Sequence, residues 1–335
     1  MRKYDVTALG ELLIDFTENG MSDQGNPLLE ANPGGAPCNV LSMLQNLGKK
    51  TAFIGKVGTD SFGQMLTESV KNQGINTDNL LADKEVHTTL AFVHTDKDGD
   101  RSFSFYRNPG ADMMLRWNEI DEKIFADTKI FHFGTLSMTD EDIAEVTKKA
   151  VHKAKSEGAV ISFDPNLRIP LWKSLEDAKS QMWYGISQCD ILKISDDEIE
   201  FLTGEKDIDT GVKEITGKYN PVLICATMGK HGSKAYYNGK CVFCESFLRK
   251  DTIETTGAGD TFMACVLNTV LEKGLKSLSE EVLFEMLRFA NAAASIITTR
   301  KGALKVMPSR QEILEVLQNV RLNCYYRIKG VQIDV

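Results

Sequence analysis

Hydrophobic and polar positions in this chain follow two periods that alternate from one end to the other. Short apolar runs rich in β-favouring residues predict strands over residues 6–14, 51–57, 130–135, 159–163, 190–194, 222–226 and 232–237. Between them, apolar residues recur at helical spacing. Val40, Leu44 and Leu47 share one face of a helix that opens near Pro37 and stops at Gly48, and residues 61–73 form a second helix ended by Gly74. Asp60 or Ser61 is placed to cap that second helix. A third helix starts near Thr139, with acidic residues first and Lys148, Lys149, Lys153 and Lys155 behind them, the order its dipole favours. Phe262, Met263, Val266, Leu267, Val270 and Leu271 mark another that ends near Gly274, and residues 280–298 and 309–320 read as the last two. Strands alternating with helices predict an α/β fold. One segment departs from this rhythm: residues 88–95 and 101–107 alternate around Lys97-Asp-Gly99-Asp100, a hairpin that belongs to a separate small sheet. No glycine-rich linker or repeat divides the chain, so one α/β unit over residues 1–320 is expected, with 321–335 a tail of no assigned role.

Composition narrows the classes. A chain of 335 residues with 42% hydrophobic content can bury a large core. A net charge of −8 argues against nucleic acid as a main partner and against an anionic membrane surface. No leader pattern opens the chain and no apolar run is long enough to span a bilayer, so a cytoplasmic protein is expected. The 7 cysteines are scattered, which is no disulfide framework, and Cys241-Val-Phe-Cys244 lacks a second pair or a nearby histidine and reads as strand. His132 likewise reads as a strand residue rather than a base.

The stretch with the most chemistry is Asp251-Thr-Ile-Glu-Thr-Thr-Gly257-Ala-Gly-Asp260-Thr-Phe-Met-Ala264. Small residues at a helix start let backbone N–H groups converge on an anion, and a carboxylate beside such a cradle suits proton removal from a hydroxyl that attacks a phosphate. The plain alternative is a glycine-rich turn with Asp260 as a cap. Asp15 ends an apolar run, where open α/β sheets place ligand contacts; it could equally start a turn. In Asn32-Pro-Gly34-Gly35-Ala-Pro-Cys-Asn39, two glycines before a helix allow close approach to the backbone, and Asn39 offers a donor and an acceptor to a polyol. A strand running into Asp164-Pro-Asn166-Leu-Arg168 must leave the sheet there; Arg168 could bind sugar hydroxyls, neutralise a phosphate, or form a loop salt bridge. Ser195 with Glu198 forms a capping-box pattern. Thr227-Met-Gly229-Lys-His-Gly232 follows a strand, and Asn291-Ala-Ala-Ala-Ser295 gives a small helix face for close packing or a flat ligand.

These motifs together, from about Tyr4 to Leu317, resemble the ribokinase-like PfkB carbohydrate kinases, with Gly34-Gly35 and Asn39 in the first family signature and Gly257–Asp260 in the second. The resemblance implies a three-layer sandwich around a mostly parallel sheet, with a small β lid drawn from about residues 12–33 and 88–115. It implies Asp260 as base, the N–H groups of Gly257, Ala258 and Gly259 as phosphoryl cradle, and Asp15, Gly34, Gly35, Asn39 and Arg168 around the sugar. The strings Tyr106-Arg107-Asn108-Pro and Asp164–Trp172 resemble the fructokinase branch and put Arg107 and Asn108 beside the sugar pocket. On the nucleotide side it implies Thr227, Gly229 and Gly232 near phosphates and ribose, and Asn291 and Gly302 near adenine. Ser195 stands where the family has Asn, which leaves its phosphate contact open; Glu198 would reach Mg²⁺ through water. A K⁺ ion is implied between Asp251, Ile253 and the loop after residue 298, held mainly by backbone carbonyls. The expected activity is ATP-dependent phosphorylation of fructose, with Mg²⁺ required and a homodimer compatible with the family. Within the class, 2-keto-3-deoxygluconate kinase, ribokinase and nucleoside kinases are alternatives; outside it, a sugar- or nucleotide-sensing protein without turnover. A dinucleotide-dependent oxidoreductase is disfavoured, because no Gly-x-Gly-x-x-Gly follows the first strand.

Overall fold

The structure is a computed structural model that describes residues 2–95, 101–319, 325–328 and 331–334. The chain begins with β1 (Tyr4–Leu9), β2 (Leu13–Met21), β3 (Pro27–Gly34), α1 (Ala36–Asn46), β4 (Thr51–Gly58), α2 (Ser61–Asn72), β5 (Asn76–Asp83), β6 (Leu90–Thr95) and β7 (Arg101–Tyr106). It continues through α3 (Lys123–Ala126), β8 (Thr128–Phe133), α4 (Glu141–Ser156), β9 (Val160–Phe163), α5 (Leu175–Gln188), β10 (Ile191–Ser195), α6 (Asp196–Thr203) and α7 (Ile208–Lys218). Then come β11 (Leu223–Thr227), β12 (Ser233–Tyr237), β13 (Lys240–Cys244), α8 (Ala258–Lys273), α9 (Glu280–Ile297), α10 (Arg310–Asn319), β14 (Tyr325–Ile328) and β15 (Val331–Asp334).

A nine-stranded sheet runs in the order β13-β12-β11-β10-β9-β8-β1-β4-β5. It is parallel from β11 to β5, while β12 and β13 close one edge antiparallel. Its two faces bury separate apolar layers. Val6, Phe53, Ile130, Ile191 and Cys225 pack with α1, α8 and α9; Leu9, Phe131, Phe163, Leu192 and Ile194 pack with α4, α5 and α6. Strand alternation makes this division, since successive side chains point to opposite faces. Among the described residues no helix is long and apolar enough to cross a membrane.

The second sheet has the order β3-β2-β6-β7, with β2 antiparallel to β3 and parallel to β6. The expected strands 88–95 and 101–107 appear as β6 and β7, paired from Leu90↔Tyr106 to Thr95↔Arg101, while the expected turn at Lys97–Asp100 lies outside the described residues. The small sheet is anchored by one face: Phe16 stacks on Phe92 at 4.9 Å between ring centroids and meets Phe62 of α2 edge-on at 5.6 Å. The tail forms the antiparallel pair β14–β15.

One expectation needs correction. The single first strand over 6–14 is two strands in different sheets, because the chain breaks at Gly10-Glu11-Leu12. The buried Glu11 carboxylate causes the break by turning to accept the Ala36 N–H at 2.8 Å, which fixes the start of α1. Asp15 therefore belongs to the small sheet rather than to the end of a central strand. β5, α5 and α7 were not anticipated. Asn76–Asp83 shows little alternation, but Ser174 and Asp207 cap α5 and α7 by accepting the Asp177 and Thr210 N–H groups, a signal present in the sequence.

Candidate active site

The parallel strands β8 to β11 end together, and their C-terminal ends carry the loops an open α/β sheet uses for ligands. α8 opens directly against them. Gly257 adopts φ 77°, a left-handed conformation that turns the chain into the helix without Cβ strain, and Thr261 N–H makes the first helical bond to Gly257 O at 2.8 Å. The N–H groups of Gly259 and Asp260 precede that bond, in the first helical turn, where donors have no intrahelical acceptor. Ala258 differs from expectation: its N–H turns back to Thr255 O at 3.2 Å.

Asp260 is buried in this first turn, and its Oδ2 accepts from Asn39 Nδ2 at 2.8 Å. Burial raises its pKa, while Asn39, Lys193 and Arg168 pull in the opposite direction. Asn39 Oδ1 is buried with no hydrogen-bond partner, so an acceptor stands beside the carboxylate, available to a ligand hydroxyl. Asp15 approaches from the small sheet. Its pKa is pushed up to about 7, chiefly by desolvation, against the charge of Arg168 and together with those of Glu254 and Asp260. Gly34 lies against Asp15, where a Cβ would sit 2.4 Å from Oδ2 and push that carboxylate aside. At Gly35, φ is 129° and a Cβ would strike Glu11 O at 2.4 Å. Asp15, Gly34, Gly35, Asn39, Arg168 and Asp260 are thus brought to one place by two sheets and two helices.

Behind them lies a group that sequence reasoning missed. Lys193, in β10, is buried and its Nζ lies 3.1 Å from each oxygen of Asp164. The register Leu192↔Phe163 sets this pair side by side. Burial works against the lysine's charge, yet Asp164, Glu198 and Asp260 together raise its pKa and keep it protonated. Next along the same face, His132 Nδ1 meets Ser162 Oγ at 2.9 Å. Burial first, then Lys193, lowers the His132 pKa to about 3, so it is a neutral strand residue as expected. Glu198 closes the capping box on Ser195 and its Oε1 also accepts Leu167 N–H at 2.9 Å, tying α6 to the loop that carries Asn166 and Arg168.

Comparison with known proteins gives the family. Residues 3–310 match the pfkB family carbohydrate kinase model. The chain belongs to the PfkB family of carbohydrate kinases. It is 40% identical to fructokinase-2 of Solanum habrochaites over 315 residues, 93% of this chain and 96% of the relative. A crystal structure of fructokinase with bound ATP from Xylella fastidiosa superposes with a TM-score of 0.86 at 32% identity, covering 94% of this chain and 98% of that one. A fructokinase from Vibrio cholerae O395 in a fructose-, ADP- and calcium-bound form gives 0.84 at 26% identity, covering 94% and 99%. The architecture is the ribokinase-like α/β fold, with the four-stranded sheet as its smaller layer.

The remaining candidate residues have contacts of their own. Arg107 is buried and donates to Asp112 Oδ2, Thr139 Oγ1 and Leu136 O at 2.8, 2.7 and 3.0 Å, a set that braces the segment after β7. Asn108 is exposed and lines a cleft of about 590 Å³ with Asp60, Phe62, His87 and Tyr106, none of which touches the Asp260 cluster through a hydrogen bond. Asn291 clamps α9 to the small-residue edge of the sheet, accepting from Ser233 Oγ and donating to Cys244 O and Glu245 O. Gly232 lies under Cys244 O, 2.2 Å from where a Cβ would be; Thr227 ends β11, and Gly229 follows it at φ 52°. The segment holding Asp251 and Ile253 adjoins the Gly302 loop: Ile253 N–H reaches Thr298 O at 2.8 Å, and Gly302 N–H reaches Glu254 Oε1 at 2.8 Å. Asp251 itself is exposed and pairs with Arg249. Among the described residues no cluster of three or more His, Cys, Asp or Glu side chains could cage a metal.

Glu11 provides a stability test of this burial. Desolvation, the leading cause, raises its pKa to about 7 from an ordinary 4.5. A carboxyl raised on folding opposes folding increasingly as pH climbs from the unfolded pKa through the folded one. Glu11→Gln should therefore gain stability relative to wild type by about 1–3 kcal/mol between pH 4 and pH 8. Urea unfolding at both pH values checks this; a difference independent of pH would show that Glu11 stays as easily ionised as in water.

Proposed function

We propose that the chain is an ATP-dependent fructokinase, transferring the γ-phosphoryl group of ATP to the 6-hydroxyl of D-fructose. The observation that carries this reading is the buried Asp260 at the N-terminal turn of α8, hydrogen-bonded to Asn39, whose own Oδ1 is left for a ligand. Relatives named as fructokinases, at 40% identity over nearly the whole chain, support fructose as the sugar.

Asp260 takes the proton of the attacking hydroxyl, its burial making it a better base than an exposed aspartate. Asn39 positions that hydroxyl, and Asp15 and Arg168 hold the rest of the sugar. Backbone N–H groups at Gly259 and Asp260 receive the charge of the phosphoryl group as it moves. The small sheet covers the sugar and excludes water, which competes as acceptor. Mg²⁺ fits a site without a protein cage if it arrives on the nucleotide phosphates, with Glu198 reached through water. It would supply charge neutralisation between the phosphates. The segment of Asp251 and Ile253 adjoins the loop after residue 298, and a K⁺ ion there would be held mainly by backbone carbonyls.

A panel of sugars with Mg-ATP, scored by kcat/KM, tests the substrate: fructose should lead, and preference for ribose or 2-keto-3-deoxygluconate would replace the reading. Asp260→Asn should lower kcat by roughly 10²–10⁴ with little change in sugar affinity. A near-normal kcat would remove it as the base. Arg168→Lys keeps the charge but loses the fork of donors. It should weaken fructose binding by about ten- to hundred-fold, the worth of a charge-assisted hydrogen bond of about 1.5–3 kcal/mol, while leaving ATP binding intact. Calorimetry with fructose and with a non-hydrolysed ATP analogue measures both, and unchanged fructose affinity would take Arg168 out of the sugar site.

A further inference from the structure

Three cationic side chains are buried among the described residues: Lys56, Arg107 and Lys193. Lys56 is consumed by Glu119, Asp83 and Met114 O, and Arg107 by Asp112, Thr139 and Leu136 O. Lys193 differs in its surroundings. It shares the α8 face of the sheet with Ile191, and a Cβ on Gly259 would come within 3.1 Å of its Nζ and 3.6 Å of its Cε. The ammonium therefore abuts the backbone that forms the anion cradle. Its only hydrogen-bond acceptor among the described residues is Asp164, at 3.1 Å. An ammonium has three donors, so Asp164 does not exhaust it.

The charges around it do not balance for a structural pair alone. Asp164, Glu198 and Asp260 all act on this one lysine, and a phosphoryl group arriving at Gly259 adds further negative charge. A cation in direct reach is what such a pocket needs to admit a phosphate. Lysine, a compact charge with three rotatable donors, can keep a hydrogen bond to Asp164 and aim another donor at an incoming oxygen without moving the strand.

We infer that Lys193 is a catalytic residue that contacts the transferred phosphoryl group through its Nζ, while remaining paired with Asp164; this rests on the kinase reading above. In the step it assists, the bond between the γ-phosphorus and the oxygen bridging to the β-phosphate breaks, and its electron pair leaves on ADP. A bond forms from the 6-oxygen of fructose to that phosphorus, and the hydroxyl proton passes to Asp260. Lys193 keeps its own protons throughout and donates hydrogen bonds to the non-bridging oxygens.

The competing account makes Lys193 a strut that only neutralises Asp164. Lys193→Met alone would leave Asp164 buried without a partner and could unfold the strand end, so the deciding variant is the double change Lys193→Met with Asp164→Asn, which removes the pair while keeping its bulk. Steady-state kinetics with fructose and Mg-ATP are compared for wild type, Asp164→Asn and the double variant, with unfolding curves to show that each is folded. Contact with the phosphoryl group predicts a kcat about 100-fold or more below wild type in the double variant, the usual loss on deleting one donor to a developing anion. Fructose KM should stay within about threefold, and Asp164→Asn alone should lose less than about tenfold. A folded double variant with kcat within about threefold of wild type, or Asp164→Asn alone as slow as the double, would overturn the inference and leave the strut. Wild type that phosphorylates no sugar would overturn the kinase reading and this inference with it.

Discussion

A carboxylate and a phosphoryl group cannot share a dry pocket unless something between them carries opposite charge. Asp260 is buried at the spot where the Gly257–Asp260 turn directs its N–H groups, and that placement governs the neighbouring design. The helix start supplies partial positive charge from the backbone. Asn39 orients the carboxylate through a single 2.8 Å bond, and α1, which carries Asn39, is itself fixed by Glu11 through Ala36 N–H. Lys193 and Arg168 both lower the energetic cost of ionising Asp260. A polar row of His132, Ser162, Asp164 and Lys193 on a face otherwise packed with Ile130, Ile191 and Cys225 makes little sense as core. It makes sense as the floor of an ionic site.

That floor also holds the loop after β9. Asp164 Oδ1 accepts both from Lys193 Nζ at 3.1 Å and from the Asn166 N–H at 3.2 Å, while Glu198 takes the Leu167 N–H. Arg168 follows immediately in that loop, and its charge acts on both Asp15 and Asp260. In the proposed kinase, Glu198 serves the metal through water while its oxygens remain bonded to backbone, which is compatible because each carboxylate oxygen has two lone pairs.

The elements legible in the sequence were those whose signal is local. The start of α8, the Asp60 and Ser195 caps and the alternating strands β6 and β7 each follow from a few adjacent residues. What escaped depended on register or on a break without punctuation. The run from Val6 to Ile14 is apolar across Gly10-Glu11-Leu12, so only the tertiary use of Glu11 divides it between two sheets. Lys193 sits in Ile191-Leu192-Lys193-Ile194, and strands buried on both faces are normally apolar throughout; that interruption was the available signal. Its meaning came from Asp164, 29 residues away and adjacent only through strand pairing. Arg107 and Asn291 show the opposite case: their side-chain types suit ligands, but the fold uses their hydrogen bonds internally.

The small sheet meets the loop after α9 beside Asp15. Asp15 of β2 pairs directly with Asn32 of β3, so the two side chains lie on one face of the small sheet. Asn32 donates to Thr17 Oγ1 at 2.9 Å and also abuts Gly302, where a Cβ would stand 2.9 Å from its Oδ1. Lys301 adds a bond to Asn19 at 3.1 Å. Gly302 in turn donates to Glu254, whose charge acts on Asp15. In the proposed fructokinase, a movement of the small sheet that seated Asp15 on the sugar would also shift the surface against which the Gly302 loop packs. Cross-strand pairing transmits it in one step, because the residue opposite Asp15 is the one that touches the loop. In the proposed fructokinase, the loop and the sheet act as neighbours, and Gly302 takes φ 75°, a left-handed conformation that favours glycine, with Asn32 packed beside it.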